Sequence, residues 1–592
     1  MEYRAPVADI ALSLREAGGL DDAIASGLYR DLTADVVDAV LTEAARMADD
    51  VLAPLNRVGD TVGSRLENGG VVTPPGWKQA YRAWSEAGWN SLTGPEEHGG
   101  QGLPILLGTA VGEMWQAANM GFGLAPLLTA GAIEAVSAHG SADLKARYLG
   151  KLVSGEWTGT MNLTEPQAGS DLAALRARAE RVGDGSYRIS GQKIFITYGD
   201  HDLTENICHL VLARLPDAPA GVKGISLFLV PKFLPDANGN LTVRNDLRAA
   251  SIEHKLGIHA SPTCVMAFGD HGGATGYLIG EENRGLACMF TMMNNARLAV
   301  GVQGVGIAER ATQQALAYAR ERRQGRSARA SGAGMSPIIE HPDIQRMLLT
   351  MRGLTRAARG ICFMTAAALD RAHLASSSEE RGEAAERAAL LTPIAKGFST
   401  DIGNEVASLG VQVHGGMGFI EETGAAQHLR DARITPIYEG TNGIQAIDLV
   451  MRKLPLSGGA AVRGVIAGIA ATADDVARRN APEFGRMADR LRSARDSLSR
   501  ATDFMLGEVG SGGGQRALAG ATPYQRLFGL ALGASALARE ALASSASDAH
   551  GHSRIATARF FAQSLLPATQ SLEADVVEGG AFVDDALPAL AS

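Results

Sequence analysis

Between Arg433 and Asp448 the chain carries one charged side chain, Glu439, set between Tyr438 and Gly440 in the stretch Ile-Thr-Pro-Ile-Tyr-Glu-Gly-Thr-Asn-Gly-Ile-Gln. A carboxylate in apolar surroundings loses hydration, so its pKa rises toward the range where it takes up a proton and later releases it. Gly440 removes a side chain where a substrate would have to come close. On its own the triplet reads more readily as an ordinary turn with a solvated Glu; the stretches that accompany it point to proton abstraction.

Two of these stretches carry residue types that could serve a bound ligand. Met161-Asn-Leu-Thr-Glu-Pro-Gln-Ala-Gly-Ser-Asp171 ends in a Gly169-Ser170 pair that can offer backbone N–H groups and a hydroxyl to an anion, with Pro166 stiffening the turn. Gly191-Gln-Lys-Ile-Phe-Ile-Thr197 has a strand pattern, and period-two alternation places Phe195 and Thr197 on one face.

Taken in order and at these separations, the Thr-Glu-Pro-x-x-Gly-Ser-Asp, Gly-Gln-Lys-x-Phe-Ile-Thr and Tyr-Glu-Gly-Thr stretches resemble the acyl-CoA dehydrogenase family, from the N-terminal helices to about Leu454. The added C-terminal region and the Glu-Arg-Arg-Gln-Gly-Arg run at 321–326 look most like the large bacterial subgroup that contains 3-methylthiopropanoyl-CoA dehydrogenases. The resemblance implies FAD as cofactor and Glu439 as the base that removes the α-proton of an acyl-CoA thioester, while the β-carbon gives hydride to the flavin and trans-2-enoyl-CoA results. It also implies that the thioester oxygen meets a flavin ribityl hydroxyl and the Glu439 backbone N–H, an oxyanion contribution of roughly 2.7–4 kcal/mol.

By the same resemblance the flavin is held by Met161, Leu163, Thr164, Gly169, Ser170, Phe195 (where many members have Trp), Thr197, Gln412, Gly415, Gly416 and Thr441. Arg322 matches an arginine that reaches the FAD pyrophosphate across a dimer interface. Ser170, Asn294, Arg297, Tyr438 and Gly440 match substrate contacts, and His414 a supporting position. Thr197 also suits plain strand packing, and Arg322, Asn294 and Arg297 also suit a helix surface. Two departures, Pro342 and Gly443 where the family usually has Gln, bear on the adenine side. The implied partners are electron-transferring flavoprotein as acceptor and a second copy of the chain. 3-Methylthiopropanoyl-CoA is the expected substrate, with medium- or long-chain acyl-CoA as rival; an acyl-CoA oxidase and a flavin-bearing DNA-associated relative are the other readings.

The elements that must position these residues follow from pattern and composition. With 592 residues the chain is too long for one core. Apolar residues at helical spacing from Asp35 to Ala53 predict a helix ending near Pro54, and residues 1–157 read as a helical domain. Residues 158–282 carry short β-rich runs (Tyr187–Ile189, Lys193–Thr197, His209–Leu215, Gly224–Pro231, Cys264–Phe268, Tyr277–Ile279) without intervening helices, which predicts an antiparallel barrel or sandwich. Long helices at Met289–Arg323, Ile344–Ala375 and Glu379–Leu409, with a short one after Thr441, predict a bundle over 283–454, interrupted at Gly325–Pro337 by an insertion that reads as mobile. An Ala-rich helical region, 455–592, is either a fourth unit or an interaction arm. The pattern thus predicts an α+β fold class, and the resemblance implies that it is acyl-CoA dehydrogenase-like.

A net charge of −9 argues against a phosphate-backbone binder, so nucleic acid is not an expected partner. Cys208, Cys264, Cys288 and Cys362 lie far apart with no Cys-x-x-Cys pair, which suggests free thiols in a reducing compartment, no metal site and no dithiol redox chemistry. The N-terminus lacks a secretory pattern, and the uncharged run Met114–Ile133, though long enough, contains Gln116, Asn119 and Pro126; it reads as a packed interior helix pair rather than a membrane span. A cytoplasmic location is expected.

Overall fold

The computed structural model describes residues 3–590 apart from 31, 237, 330–333 and 513. The chain forms two compact units, each assembled from separated segments: Met1–Ala45, Ile105–Ala117 and Arg297–Ser592 in one, Arg46–Pro104 and Ala118–Ala296 in the other. The first is helical. The second combines helices with a sheet.

Eight strands make that sheet: β1 (Trp157–Asn162), β2 (Arg178–Arg181), β3 (Tyr187–Thr197), β4 (Asn206–Ala213), β5 (Ser226–Pro231), β6 (Leu247–Ile252), β7 (Thr263–Phe268) and β8 (Ala274–Ile279). Their order is β6-β7-β3-β8-β5-β4-β1, with β2 also pairing β3. The pairing departs from the all-antiparallel expectation at one place, because β1 and β4 run parallel from Trp157↔Asn206 to Asn162↔Val211. The chain between them, which includes β2 and β3, is long enough to serve as the return that a parallel pair requires. Every residue of β1, β4 and β5 is buried, so the latter two are mostly apolar without alternation, with His209 as the polar residue inside β4.

β3 is one strand where two were expected, and its regularity breaks. Met266 pairs with Lys193 and Cys264 with Ile196, so one residue of β7 lies opposite two of β3. The extra residue falls beside Phe195, whose φ of +60° is a left-handed conformation. Lys193 and Ile196, three apart, are therefore both buried.

Two other local expectations change. Residues 65–72, placed in an all-helical stretch, form a hairpin whose Asn68-Gly69 turn has φ of +51° and +79°, the mirror-image turn that Asn-Gly favours. Pro54 does not end a helix; it follows the π-helical turn Met47–Leu52 inside a continuous run of helical backbone from Ala34 to Val62, a place where the regular hydrogen-bond ladder is already interrupted. The Ile105–His139 helix is broken at Asn119 (φ −161°, ψ 89°), whose Oδ1 accepts the Phe122 N–H at 3.1 Å and so restarts it. It is the mostly buried helix pair that the polar residues implied.

In the helical unit Gly285–Glu321, Pro342–Leu374 and Ser378–His414 supply the long rods, the first contributing its residues from Arg297 onward. Ser378–His414 runs past Leu409 and takes Gln412 into its last turn. Small residues let these rods approach: a Cβ on Gly301 would meet the Ala395 carbonyl at 2.6 Å, and one on Gly304 the Ser399 carbonyl at 2.2 Å. The C-terminal region belongs to this same unit, and its Ala521–Leu542 helix is largely buried. Gln525 there donates to the Pro393 carbonyl at 2.8 Å. The insertion at 325–337 is closed at its neck, with Gln324 N–H on Ser336 O at 3.0 Å and Ser336 N–H on Gly325 O at 2.9 Å; residues 330–333 lie outside the described residues.

Candidate active site

Glu439 stands on a turn held by Tyr438 N–H to Ile434 O (3.2 Å) and Asn442 N–H to Pro436 O (3.0 Å). Its φ is +54° and that of Gly440 is +83°. A non-glycine residue in this region carries strain on the order of 1–3 kcal/mol, which persists only where surrounding structure enforces it. The enforcement is visible. A Cβ on Gly440 would meet Gln445 Nε2 at 2.6 Å, so no side chain fits at this position. Gln445 is fully buried, and its Nε2 leans weakly toward the Glu439 and Gly440 carbonyls at 3.4 and 3.5 Å. Thr441 caps the short Asn442–Asp448 helix, its hydroxyl taking the Ile444 N–H at 3.3 Å.

The Glu439 side chain is partly accessible, yet protein packs densely around its carboxyl and pushes its pKa above the ordinary value. The Arg297 guanidinium and the Lys396 ammonium oppose that rise. Among the described residues no donor reaches the carboxyl within hydrogen-bonding distance, and no acceptor takes the Glu439 N–H. A base and a free N–H thus lie on one residue.

Lys396 was not anticipated from the motifs. It is fully buried within Ser378–His414, and its Nζ donates to Asn442 Oδ1 at 2.8 Å. Asn442 in turn donates to Asp401 Oδ1 at 2.7 Å, which ties the turn after the base to the helix behind it. Burial lowers the Lys396 pKa to about 7, with Glu439 and Asp401 acting the other way. The signal was a single cation in the run Leu391-Thr-Pro-Ile-Ala-Lys-Gly-Phe-Ser-Thr400, every residue of which is buried.

Arg297 is also nearly buried, 3.7 Å from Asp448, whose other oxygen takes Arg452 at 2.6 Å. Its pKa is lowered by burial, against Asp448 and Glu439. The Tyr438 hydroxyl donates to Gln303 Oε1, and burial raises the Tyr438 pKa. Arg297 Nε, Gln303 Nε2 and Gln445 Oε1 are buried without partners, so three polar atoms in these elements await one.

The remaining predicted residues of this unit are spread out. Gln412 lies on the last turn of its helix, and Gly415 (φ +60°) and Gly416 follow with open space where a Cβ would be. His414 stacks on Tyr318 at 4.4 Å, which brings this turn near the end of the helix that precedes Arg322. The Arg322 side chain is exposed, with a 3.4 Å contact to its own Gln324.

Met161, Leu163, Thr164, Gly169, Ser170, Phe195 and Thr197 belong to the sheet-containing unit. A buried ion pair staples their two stretches: Lys193 Nζ meets Glu165 Oε1 at 2.8 Å and the Leu163 carbonyl at 3.0 Å. Glu165 also accepts the Arg176 and Ala177 N–H groups, and Ile194 N–H reaches Thr164 O at 2.9 Å. The Lys193 pKa falls to about 8 through burial, with Glu165 holding it up. The staple holds the bulged Phe195 outward, 59% exposed, while Leu163, Thr164 and Thr197 stay half-buried. An exposed aromatic ring beside half-buried apolar and hydroxyl groups suits a flat, polar-edged ring system such as a flavin. Gly169 and Ser170 are exposed; the Asn294 side chain lies outside the described residues. No cluster of three metal-ligating side chains occurs among the described residues.

The chain matches four family models: the acyl-CoA dehydrogenase N-terminal domain over residues 38–156, the middle domain over 160–271, the C-terminal domain over 283–454, and the acetyl-CoA dehydrogenase C-terminal-like domain over 465–585. It is 51% identical to 3-methylmercaptopropionyl-CoA dehydrogenase of Ruegeria pomeroyi over 96% of both chains. A butyryl-CoA dehydrogenase of Syntrophomonas wolfei is 35% identical over 84% of this chain and 83% of that one. The solved butyryl-CoA dehydrogenase of Megasphaera elsdenii superposes with a TM-score of 0.58 at 26% identity, covering 71% of this chain and 98% of that one. With a partly enclosed carboxylate in the expected turn and a 51% identical relative along almost its whole length, the chain belongs to the acyl-CoA dehydrogenase family, oxidoreductases acting on the CH–CH bond of acyl-CoA.

Proposed function

We propose that the chain converts 3-methylthiopropanoyl-CoA to its trans-2-enoyl-CoA, with Glu439 as the base. The observation that carries this is the Glu439 carboxyl itself: raised in pKa by burial, balanced by Arg297 and Lys396, and free of any fixed hydrogen bond among the described residues. Such a group can hold a proton taken from carbon and still be ionised beforehand. The unbonded Glu439 N–H takes the thioester oxygen as negative charge develops there. Arg297, Tyr438, Gly440, Asn294 and Ser170 are the substrate contacts in this reading.

FAD, when bound, supplies the acceptor for the β-hydride. The residues that would hold it are Met161, Leu163, Thr164, Gly169, Ser170, Phe195 and Thr197, together with Arg322, Gln412, Gly415, Gly416 and Thr441. Support comes from the exposed Phe195 ring on its stapled bulge. The exposed Arg322 suits a contact to the cofactor of a second copy, so the working form is a homodimer that passes electrons to electron-transferring flavoprotein. Buried free cysteines suit a cytoplasmic location. The four-part division at 157, 282 and 454 remains part of this reading, supported by the spans of the family models.

The methylthio substrate rests on 51% identity over 96% of the chain, against 35% for the butyryl-CoA relative. Anaerobic titration with methylthiopropanoyl, butanoyl, octanoyl and palmitoyl thioesters, following flavin bleaching, tests it. Turnover is expected to be highest on the first, and a preference for palmitoyl would overturn the assignment. Glu439→Gln should bind the thioester and stay oxidised; bleaching at the normal rate would remove Glu439 as the base.

A further inference from the structure

In the sheet-containing unit the loop 253–262 joins β6 to β7 and ends beside the stretch that carries Phe195 and Thr197. Thr263, the first residue of β7, pairs with Thr197, and the Pro262 carbonyl takes the Tyr198 N–H at 2.7 Å. Where this loop sits therefore fixes where β3 ends. The loop is also strained: Ile258 has a φ of +45°, a left-handed conformation that a β-branched residue adopts only where its surroundings enforce it.

The next residue, His259, meets two carbonyl oxygens: Nδ1 that of Asp60 at 2.9 Å, Nε2 that of Lys255 at 3.0 Å. Carbonyl oxygens only accept, and a neutral imidazole has one N–H, so both contacts are hydrogen bonds only in the imidazolium. Two further features suit that charge. Asp60 Oδ1 lies 3.1 Å from Nδ1, and the Asp60 carbonyl belongs to the last turn of the Ala53–Val62 helix, the negative end of its dipole. Arg57 holds the other Asp60 oxygen at 2.7 Å, and the Lys255 ammonium reaches the Ser261 carbonyl at 2.8 Å. Ser64 closes the clamp, its N–H on the His259 carbonyl at 3.0 Å and its hydroxyl on the Ala260 carbonyl at 2.6 Å.

We infer that His259 is a positioning residue for the cofactor: as an imidazolium held between the Asp60 and Lys255 carbonyls, it keeps Pro262 and Thr263 against the end of β3, and so keeps Phe195 and Thr197 where a flavin meets them. It acts through those two residues and not by contact. The inference rests on the placement of FAD against Phe195 and Thr197 proposed above, and it is independent of Glu439.

The test follows FAD release from the loaded protein by flavin fluorescence, with the visible flavin band and the kinetics read at saturating FAD. His259→Phe removes both donors and the charge; it should release FAD roughly tenfold faster or more, shift the visible band, and lower kcat with KM for the thioester unchanged. His259→Arg keeps a charge and several donors and should restore all three toward wild type. His259→Gln should lie between, and carries the same test if the Phe variant does not fold. Phe195→Ala, which checks the placement itself, should also release FAD faster. Wild-type release and spectrum in His259→Phe and His259→Gln, with Phe195→Ala impaired, would overturn this inference alone; wild-type release in all three would overturn the placement and the inference with it. A His259→Arg variant no better than His259→Phe would overturn the imidazolium clamp.

Discussion

Two sets of buried charge in the helical unit behave differently although burial acts on them alike. Around Arg359, Glu113 receives Nε at 2.9 Å and Nη2 at 2.6 Å, and Glu309 receives Nη2 at 2.9 Å. Around Glu439, two cations act only through space, and no donor fixes the carboxyl among the described residues. Burial raises the pKa of Glu113 and of Glu439 in the same direction. Direction of shift therefore does not separate structure from chemistry. Hydrogen-bond satisfaction does: the first set is closed and holds helices together, the second carries no fixed hydrogen bond, as the proposed role of Glu439 requires.

The largest effect that would break this contrast is at the open site. Glu439→Gln should lower kcat by a factor on the order of 10²–10⁴ while leaving thermal stability unchanged or slightly raised, because a buried charge is removed. Steady-state kinetics and a melting curve check both halves. A variant that unfolds early would make Glu439 structural.

At the closed site the outcome should reverse. Arg359→Met strands the buried Glu113 carboxylate and the half-buried Glu309 and should cost about 3–5 kcal/mol of stability, read by denaturant unfolding, with KM for the thioester unchanged in whatever fraction folds. Gly440→Ala sits between the two extremes. It forces a Cβ into a φ of +83° and against Gln445 Nε2 at 2.6 Å, so a loss of about 1–3 kcal/mol with a parallel fall in kcat is expected.

The smallest effect is a shift in pH dependence. The acid limb of kcat/KM should reflect Glu439, above the ordinary carboxylate value, and Lys396→Met should move it to higher pH by deleting a cation that favours the ionised form. The same lysine has a folded pKa of about 7, below its unfolded value of 10.5. Between those limits the unfolded chain holds more protons, so wild-type stability should rise with pH across that window, and the rise should flatten in Lys396→Met. An unmoved acid limb would confine Lys396 to packing.

Much of this architecture was legible in the residues. The Tyr438-Glu439-Gly440 turn, the Thr164 and Phe195 stretches, the alternation of helical and β-rich regions and the long helices after Gly285 all follow from short-range pattern. What went unseen has a common form. Lys396 and Asn442 meet across two elements, Lys193 and Glu165 staple two stretches, and β1 pairs in parallel with β4. Residue 195 gave no sign of the bulge that turns it outward. The Asn68-Gly69 hairpin, by contrast, had a local signal in plain view.

The chain's own order of residues determined which turn carries the proposed base and which family the chain belongs to, because those depend on side-chain type and on neighbours within a few positions. Only the packed molecule decided which charges are satisfied and which left open, and that the C-terminal helices join the helical unit instead of forming an arm. Those outcomes depend on contacts between residues far apart in the chain, where a change of helix rotation or strand register exchanges one partner for another and local spacing records neither.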